Sequence, residues 1–382
     1  YRKNISLAVL ETTFRLPAIN QNQADSSLSP RVEQLGLFLD QYFDKLAAFD
    51  DVKGYVSELS FEEMQGFLDV LPGILDEVRI AHRLSSRDMT DQRKNTSKAR
   101  LMALKALECR LRYLLTTCPQ TLTSQSEGSS QCLMCSNQAS LPCEHCLRKI
   151  VVEASAAYNE INSDKEILEH IPTLDKDPRL DLAFAIAMSL LKLSGLRPRT
   201  FDPTSSSLWQ DVNPGLFLQA VLLLDSQLKF TPNNVELRLL LVQLYLLLGC
   251  ASYAYQLWNP LGVKRTIQDA LSPLFFDRIS SLSPGLFQGS VPPTEKLRSF
   301  YNQSLRDNSP VRIWDAFLAG SYTSILDMSE YDSRLRRSCT LMMTVVEERR
   351  ARRCYGARQE CEIEAHPLLG KFPVRSIVLL TY

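Results

Sequence analysis

Apolar residues recur three and four positions apart along most of this chain, and polar clusters interrupt the rhythm. Ile5, Leu7, Leu10 and Phe14 predict an opening helix that ends near Pro17, followed by a polar loop over Asn20–Pro30. Val32–Phe49 carries Leu35, Phe38, Leu39, Tyr42, Phe43 and Leu46 at helical spacing, and Asp50–Tyr55 reads as a connector. Ser60 with Glu63 three residues on is a capping-box pattern; Phe61, Met64, Phe67, Leu68 and Leu71 follow, and Pro72 is expected to stop that helix. Ile74–Leu84 predicts a short helix, and Lys98–Leu115 sets Leu101, Leu104, Leu107, Leu111 and Leu114 on one stripe. The period fails over 116–147, a Ser/Gln/Thr-rich stretch that reads as an insertion. Helices resume at Leu147–Ile161 and Leu180–Leu193, a polar linker covers Gly195–Pro214, and further helices are expected at 215–258, 266–282, 294–305 and 311–350.

One stretch is more specific than the rest. From Val235, the spacing Leu241, Tyr245, Gly249, Ala254, Trp258 places a leucine, an aromatic, a glycine, an alanine and an aromatic as in a tetratricopeptide (TPR) helix pair. Leu241 and Tyr245 lie one turn apart on the first helix, Gly249 turns the chain, Ala254 permits close approach, and Trp258 fills the space behind it. Such a pair cannot bury its apolar face alone and needs stacked neighbours. The expected fold is therefore all-α: an irregular, TPR-like superhelical array with a cysteine-bearing loop insertion. Its segments are a helical-repeat stretch at 1–115, the cysteine-rich insertion at 116–147, a TPR-like stretch at 148–350 and an unassigned tail at 351–382.

Composition agrees. The 382 residues are 45% hydrophobic and 23% charged, usual for a folded protein, and only 14 glycines argue against a turn-rich sheet fold. Lys plus Arg equals Asp plus Glu, 43 each, so no global field draws the chain to DNA or to a lipid surface. Arg334, Arg336, Arg337, Arg349, Arg350, Arg352 and Arg353 make 330–358 locally basic, either as a solvated helix face or as a contact for ribosomal RNA. Leu239–Trp258 runs twenty residues without a charge, but Gln243, Gly249 and Ser252 interrupt it and favour a buried helix pair over a membrane span. The chain opens at Tyr1 without an initiator methionine and is expected to be a fragment; with no signal-peptide pattern at its start, the cytoplasm is the expected compartment.

The strongest chemical signal lies in the insertion. Cys132-Leu-Met-Cys135 and Cys143-Glu-His-Cys146 are two C-x-x-C knuckles seven residues apart, able to give four thiolates to one tetrahedral zinc. Four thiolates leave no open coordination position, so the expectation is a structural zinc; a redox-labile or merely flexible cysteine loop is the other reading. Catalytic signatures are missing: no Walker loop, no G-x-G-x-x-G, no G-x-S-x-G and no H-E-x-x-H. His82, His145, His170 and His366 read as surface or capping residues, and Glu62-Glu63 and Glu347-Glu348 as solvated faces. Arg353-Cys-Tyr-Gly356-Ala-Arg358 is similar to the R-x-x-G-x-[GA] loop that binds acetyl-CoA, but Arg358 breaks its last position.

Three segments, in order, resemble the non-catalytic auxiliary subunit of the NatB N-terminal acetyltransferase. Leu39-Asp-Gln-Tyr-Phe43 with Val70-Leu-Pro72 is similar to that family's Q-Y-F-K-K-F … F-V-D-L-L-P region. Arg179-Leu-Asp-Leu-Ala-Phe184 through Leu193 matches its next helix, and Phe217–Trp258, with Ala220-Val-Leu-Leu-Leu224 and Thr231-Pro-Asn-Asn234 through Cys250, is the most specific. The similarity covers about residues 31–350; the cysteine knuckles and the stretch after residue 353 carry none of it. The resemblance implies a non-enzymatic helical scaffold that binds a catalytic acetyltransferase subunit at the ribosome, with acetyl-CoA held by that partner. It implies co-translational acetylation of N-termini beginning Met-Asp, Met-Glu, Met-Asn or Met-Gln. The alternative is an adaptor unrelated to acetylation, with the zinc-stabilised loop as its docking element.

Overall fold

The computed structural model describes residues 2–16, 29–85, 91–119, 122–124, 130–137, 142–196, 212–263, 266–289 and 291–356. Most of the expected loop at Asn20–Pro30, most of the Gly195–Pro214 linker and the tail beyond residue 356 lie outside them; Pro30 itself opens a helix. The chain divides into two compact units, Tyr1–Pro232 and Asn233–Tyr382. The described residues are helical apart from one small ribbon, as the hydrophobic period predicts.

The first unit contains α1 (Arg2–Arg15), α2 (Pro30–Tyr42), α3 (Ala48–Glu58), α4 (Phe61–Ser85), α5 (Asp91–Thr117), α6 (Glu144–Ser163), α7 (Lys165–His170), α8 (Pro178–Leu193) and α9 (Pro214–Phe230). Between α5 and α6 lies an antiparallel ribbon, β1 (Leu122–Ser124) and β2 (Ser130–Cys132), paired Leu122 to Cys132. Its first core gathers Leu10 and Phe14 of α1, Leu35, Phe38 and Leu39 of α2, Met64 and Phe67 of α4, and Leu104, Leu107, Leu111 and Leu115 of α5. Leu104, Leu107 and Leu111 of the expected α5 stripe thus face inward and Leu114 packs against them, whereas Leu101 is half-buried and Leu115 joins the core instead.

Two expectations need correction here. The supposed connector at Asp50–Tyr55 is the middle of α3, where Ala48, Phe49, Val52 and Val56 are buried. Asp50, Asp51 and Lys53 disguise a stripe that has full helical spacing. Pro72 does not stop its helix, since α4 runs on to Ser85. A proline removes one intrahelical bond and crowds the carbonyl four residues earlier; here it sits at an exposed position, so that loss does not fall in the core. The capping box at the start of α4 is formed: Ser60 N–H donates to Glu63 Oε2 at 3.0 Å and Glu63 N–H to Ser60 Oγ at 3.2 Å.

α8 is the central rod of this unit, buried around its whole circumference and packed on α5, α6 and α9. Its Ala183, Ala185 and Ala187 let those neighbours approach closely, and Asp177 caps its N-terminus by accepting from the Arg179 amide. The Arg179–Leu193 segment that carries part of the family resemblance is this rod.

The second unit contains α10 (Val235–Leu247), α11 (Ala251–Trp258), α12 (Thr266–Leu271), α13 (Pro273–Phe276), α14 (Ile279–Leu282), α15 (Glu295–Asn302), α16 (Ser309–Leu318), α17 (Tyr322–Arg336) and α18 (Cys339–Cys354), with a π-helical stretch over Gln303–Asn308. α18 organises it, packing on α12, α13, α14 and α15. The apolar run Leu239–Trp258 splits between α10 and α11, and no helix among the described residues is long and apolar enough to cross a membrane.

Candidate metal centre

The two knuckles come together. Sγ of Cys132, Cys135, Cys143 and Cys146 all lie within 4.8 Å of one another. Cys132 and Cys146 lie 3.7 Å apart and Cys135 and Cys143 3.6 Å, far longer than a disulfide bond. A tetrahedral ion with metal–sulfur bonds of about 2.3 Å sets its thiolates about 3.8 Å apart, so these four atoms can hold one metal ion.

Local structure explains the convergence. Cys132 ends β2, and the chain doubles back at once: Ser136 N–H donates to Cys132 O at 2.8 Å, and Cys132 N–H to Asn137 O at 2.9 Å. Ser136 takes a left-handed conformation, φ 56°, to close that knuckle. Cys143 is the N-cap of α6 and Cys146 lies in its first turn, so the second pair is carried on a helix N-terminus, where negative charge is favoured. Leu133 and Met134, between the first two cysteines, pack on the first unit's core, and Thr116 Oγ1 at the end of α5 meets Met134 Sδ at 3.4 Å.

Cys132, Cys143 and Cys146 are buried and Cys135 is half-buried. Burial pushes the Cys132 and Cys146 thiols up, against ionisation. Burial also opposes ionisation of Cys135, but the Asn137 amide and the neighbouring thiols outweigh it and bring that thiol below its ordinary range. A bound cation reverses this logic by drawing the protons off its ligands. His145, inside the second knuckle, is exposed and lies apart from the sulfur cluster.

In the second unit the repeat residues occupy α10, α11 and the turn between them. Leu241 and Ala254 are fully buried, and Tyr245 meets Tyr253 edge-on with ring centres 4.6 Å apart. Gly249 has φ 74°, its N–H donates to Leu246 O, and the Cys250 N–H reaches back to Tyr245 O. That is a Schellman stop, and it needs a residue without a Cβ penalty. Trp258 stacks on Phe275 of α13 at 5.4 Å, with Phe276 edge-on at 6.0 Å. Phe275 and Phe276 escaped sequence reasoning because a four-residue helix has no period to read.

The acidic pairs are the clearest correction. Glu347 and Glu348 are buried, not solvated. Glu347 Oε2 accepts from the Ser280 amide at 2.8 Å, and Glu348 Oε1 from Thr294 Oγ1 at 2.6 Å. Short α14 takes its cap from α18, and the Thr294 hydroxyl just before α15 is tied to the same helix, a long-range arrangement with no local signature. Glu62 is exposed, whereas Glu63 serves the capping box. The basic stretch is partly offset along its own helices, Arg334 pairing with Glu330 at 2.6 Å and Arg336 with Asp332 at 2.7 Å. His170 Nδ1 lies 2.9 Å from Glu166 O, and the side chains of His82 and His366 lie outside the described residues. Gly356, in the acetyl-CoA-like sequence, has φ 73° and ends α18, while Arg358 lies outside the described residues.

Compared with known families, residues 1–367 match the model described as the N-acetyltransferase B complex (NatB) non catalytic subunit. The match extends at both ends beyond the resemblance read over 31–350. No curated protein matches the chain.

Proposed function

Since the chain belongs to the family of non-catalytic subunits of the NatB complex, we propose that it is the scaffold that binds the catalytic subunit and positions it for co-translational acetylation of Met-Asp, Met-Glu, Met-Asn and Met-Gln N-termini. The family match over residues 1–367 carries this reading. The helix pair α10–α11 supports it, because units of this kind stack into extended surfaces that can hold another domain. In this reading acetyl-CoA and all acetyl-transfer groups belong to the catalytic partner, and the complex works in the cytoplasm at the ribosome. The only cofactor assigned to this chain is a structural zinc at the four cysteines.

Affinity purification of the protein from its native source tests it. A small acetyltransferase should co-purify at one-to-one stoichiometry, and the pair should acetylate a Met-Asp peptide that this chain alone leaves unmodified. Recovery of no acetyltransferase, or equal activity on a peptide beginning with serine, would sink the reading.

A further inference from the structure

We propose that Cys132, Cys135, Cys143 and Cys146 hold one zinc ion in a closed tetrathiolate site, and that this ion, rather than apolar packing, fastens the β1–β2 ribbon to the N-terminus of α6. The proposal stands independently of the NatB reading.

The first argument is geometric. Sγ–Sγ distances of 3.6 and 3.7 Å within two different cross-knuckle pairs are those of a tetrahedron around a single ion. A ceiling of 4.8 Å across the set leaves space for one ion at the centre and none for a multi-iron cluster with its bridging sulfides.

The second concerns what else holds this part together. Leu133 and Met134 pack on the first unit's core, but between the ribbon and the start of α6 the buried cluster consists of Cys132, Cys143 and Cys146, with Met134 and Cys135 against them. Two three-residue strands cannot persist on their own pairing, and small modules without a core ordinarily rely on a metal or disulfides. The described cysteines are free thiols, so no disulfide takes that role.

The third is the setting of the second pair: Cys143 and Cys146 sit at the N-terminus of α6, where negative charge is favoured. Loading releases four thiol protons to solvent and leaves the centre with two net negative charges, which the N-terminal end of α6 partly offsets.

The test uses the full chain, with its co-purifying partner if it has one, isolated without chelator. Elemental analysis should find one zinc per chain. Cobalt exchanged into the site should show the intense visible bands of a tetrahedral thiolate complex. Cys132→Ser and Cys143→Ser should each lose the metal, while Cys250→Ser and Cys339→Ser, at exposed cysteines that are not among the four, should keep it. Chelation of the unmodified chain covers the case in which the variants do not fold: amide exchange over 130–137 should rise at least about tenfold, with α8 unchanged. Metal-free protein that also fails to take up cobalt, or iron in place of zinc, overturns the site. Loss of zinc without faster exchange in the ribbon overturns its fastening role.

Discussion

Arg110 and Asp181 form a buried ion pair between α5 and α8, Nη1 to Oδ1 at 2.6 Å, with each side chain only 10% exposed. The guanidinium lies 3.9 Å from the centre of the Phe49 ring, so α3 is tied to the same point. Lys176 Nζ also reaches Asp181 at 2.7 Å, and the Asp50 carboxylate feels both cations at longer range. Asp181→Asn should therefore destabilise the first unit by about 3–5 kcal/mol, because it strands a buried guanidinium. Replacing both members, Arg110→Met with Asp181→Leu, should cost less than Asp181→Asn alone. Hydrogen exchange of α5 and α8 under increasing urea measures both.

Gly249 closes α10 with a positive φ of 74°, although a Cβ there would meet no atom within 4 Å. Strain, not a clash, is therefore the cost of substitution. Gly249→Ala should destabilise the α10–α11 turn by about 1–2 kcal/mol, and Gly249→Asn by less, since asparagine tolerates this region. Comparing urea-dependent exchange of α10 and α11 in the two variants checks the order.

Glu347 supplies from α18 the acceptor that α14 lacks locally. Glu347→Ala leaves the Ser280 amide buried without a partner and should cost about 1–3 kcal/mol. Glu347→Gln keeps an acceptor oxygen and should cost less. Faster exchange at residues 279–282 in the alanine variant, with α10 unaffected, is the expected signature.

Glu63 should make part of the first unit's stability acid-sensitive. Burial opposes its ionisation, but the Ser60 amide, Ser29 and Arg31 outweigh that and hold its carboxyl below the ordinary value of 4.5. A depressed folded value means the contribution is fully present above 4.5 and is lost as pH falls through the lower folded value. Ser29 Oγ donates to Glu63 Oε1 at 2.8 Å, so protonation weakens the join between α2 and α4 as well as the cap. In Glu63→Gln the urea midpoint should fall less steeply between pH 5 and pH 3, about the range of carboxylate titration. An unchanged slope would count against this account.

Helix content was legible in the residues wherever a stripe was long and uninterrupted, as in α5, or carried its own punctuation, as at Ser60/Glu63 and Gly249. Charges hid α3, and Pro72 hid the length of α4. The four metal-binding candidates were legible because ligand spacing within each knuckle is a local property.

The sequence by itself determined the all-helical class, the repeat-like turn at Gly249 and the two cysteine knuckles, because each rests on contacts within a few residues along the chain. Only the tertiary structure decided that the knuckles meet, that Glu347 and Glu348 are buried with Glu347 capping α14, that Trp258 stacks on Phe275 and that Asp181 answers Arg110. Those contacts join residues separated by up to 71 positions, and a charged side chain looks the same in sequence whether water or a buried amide receives it.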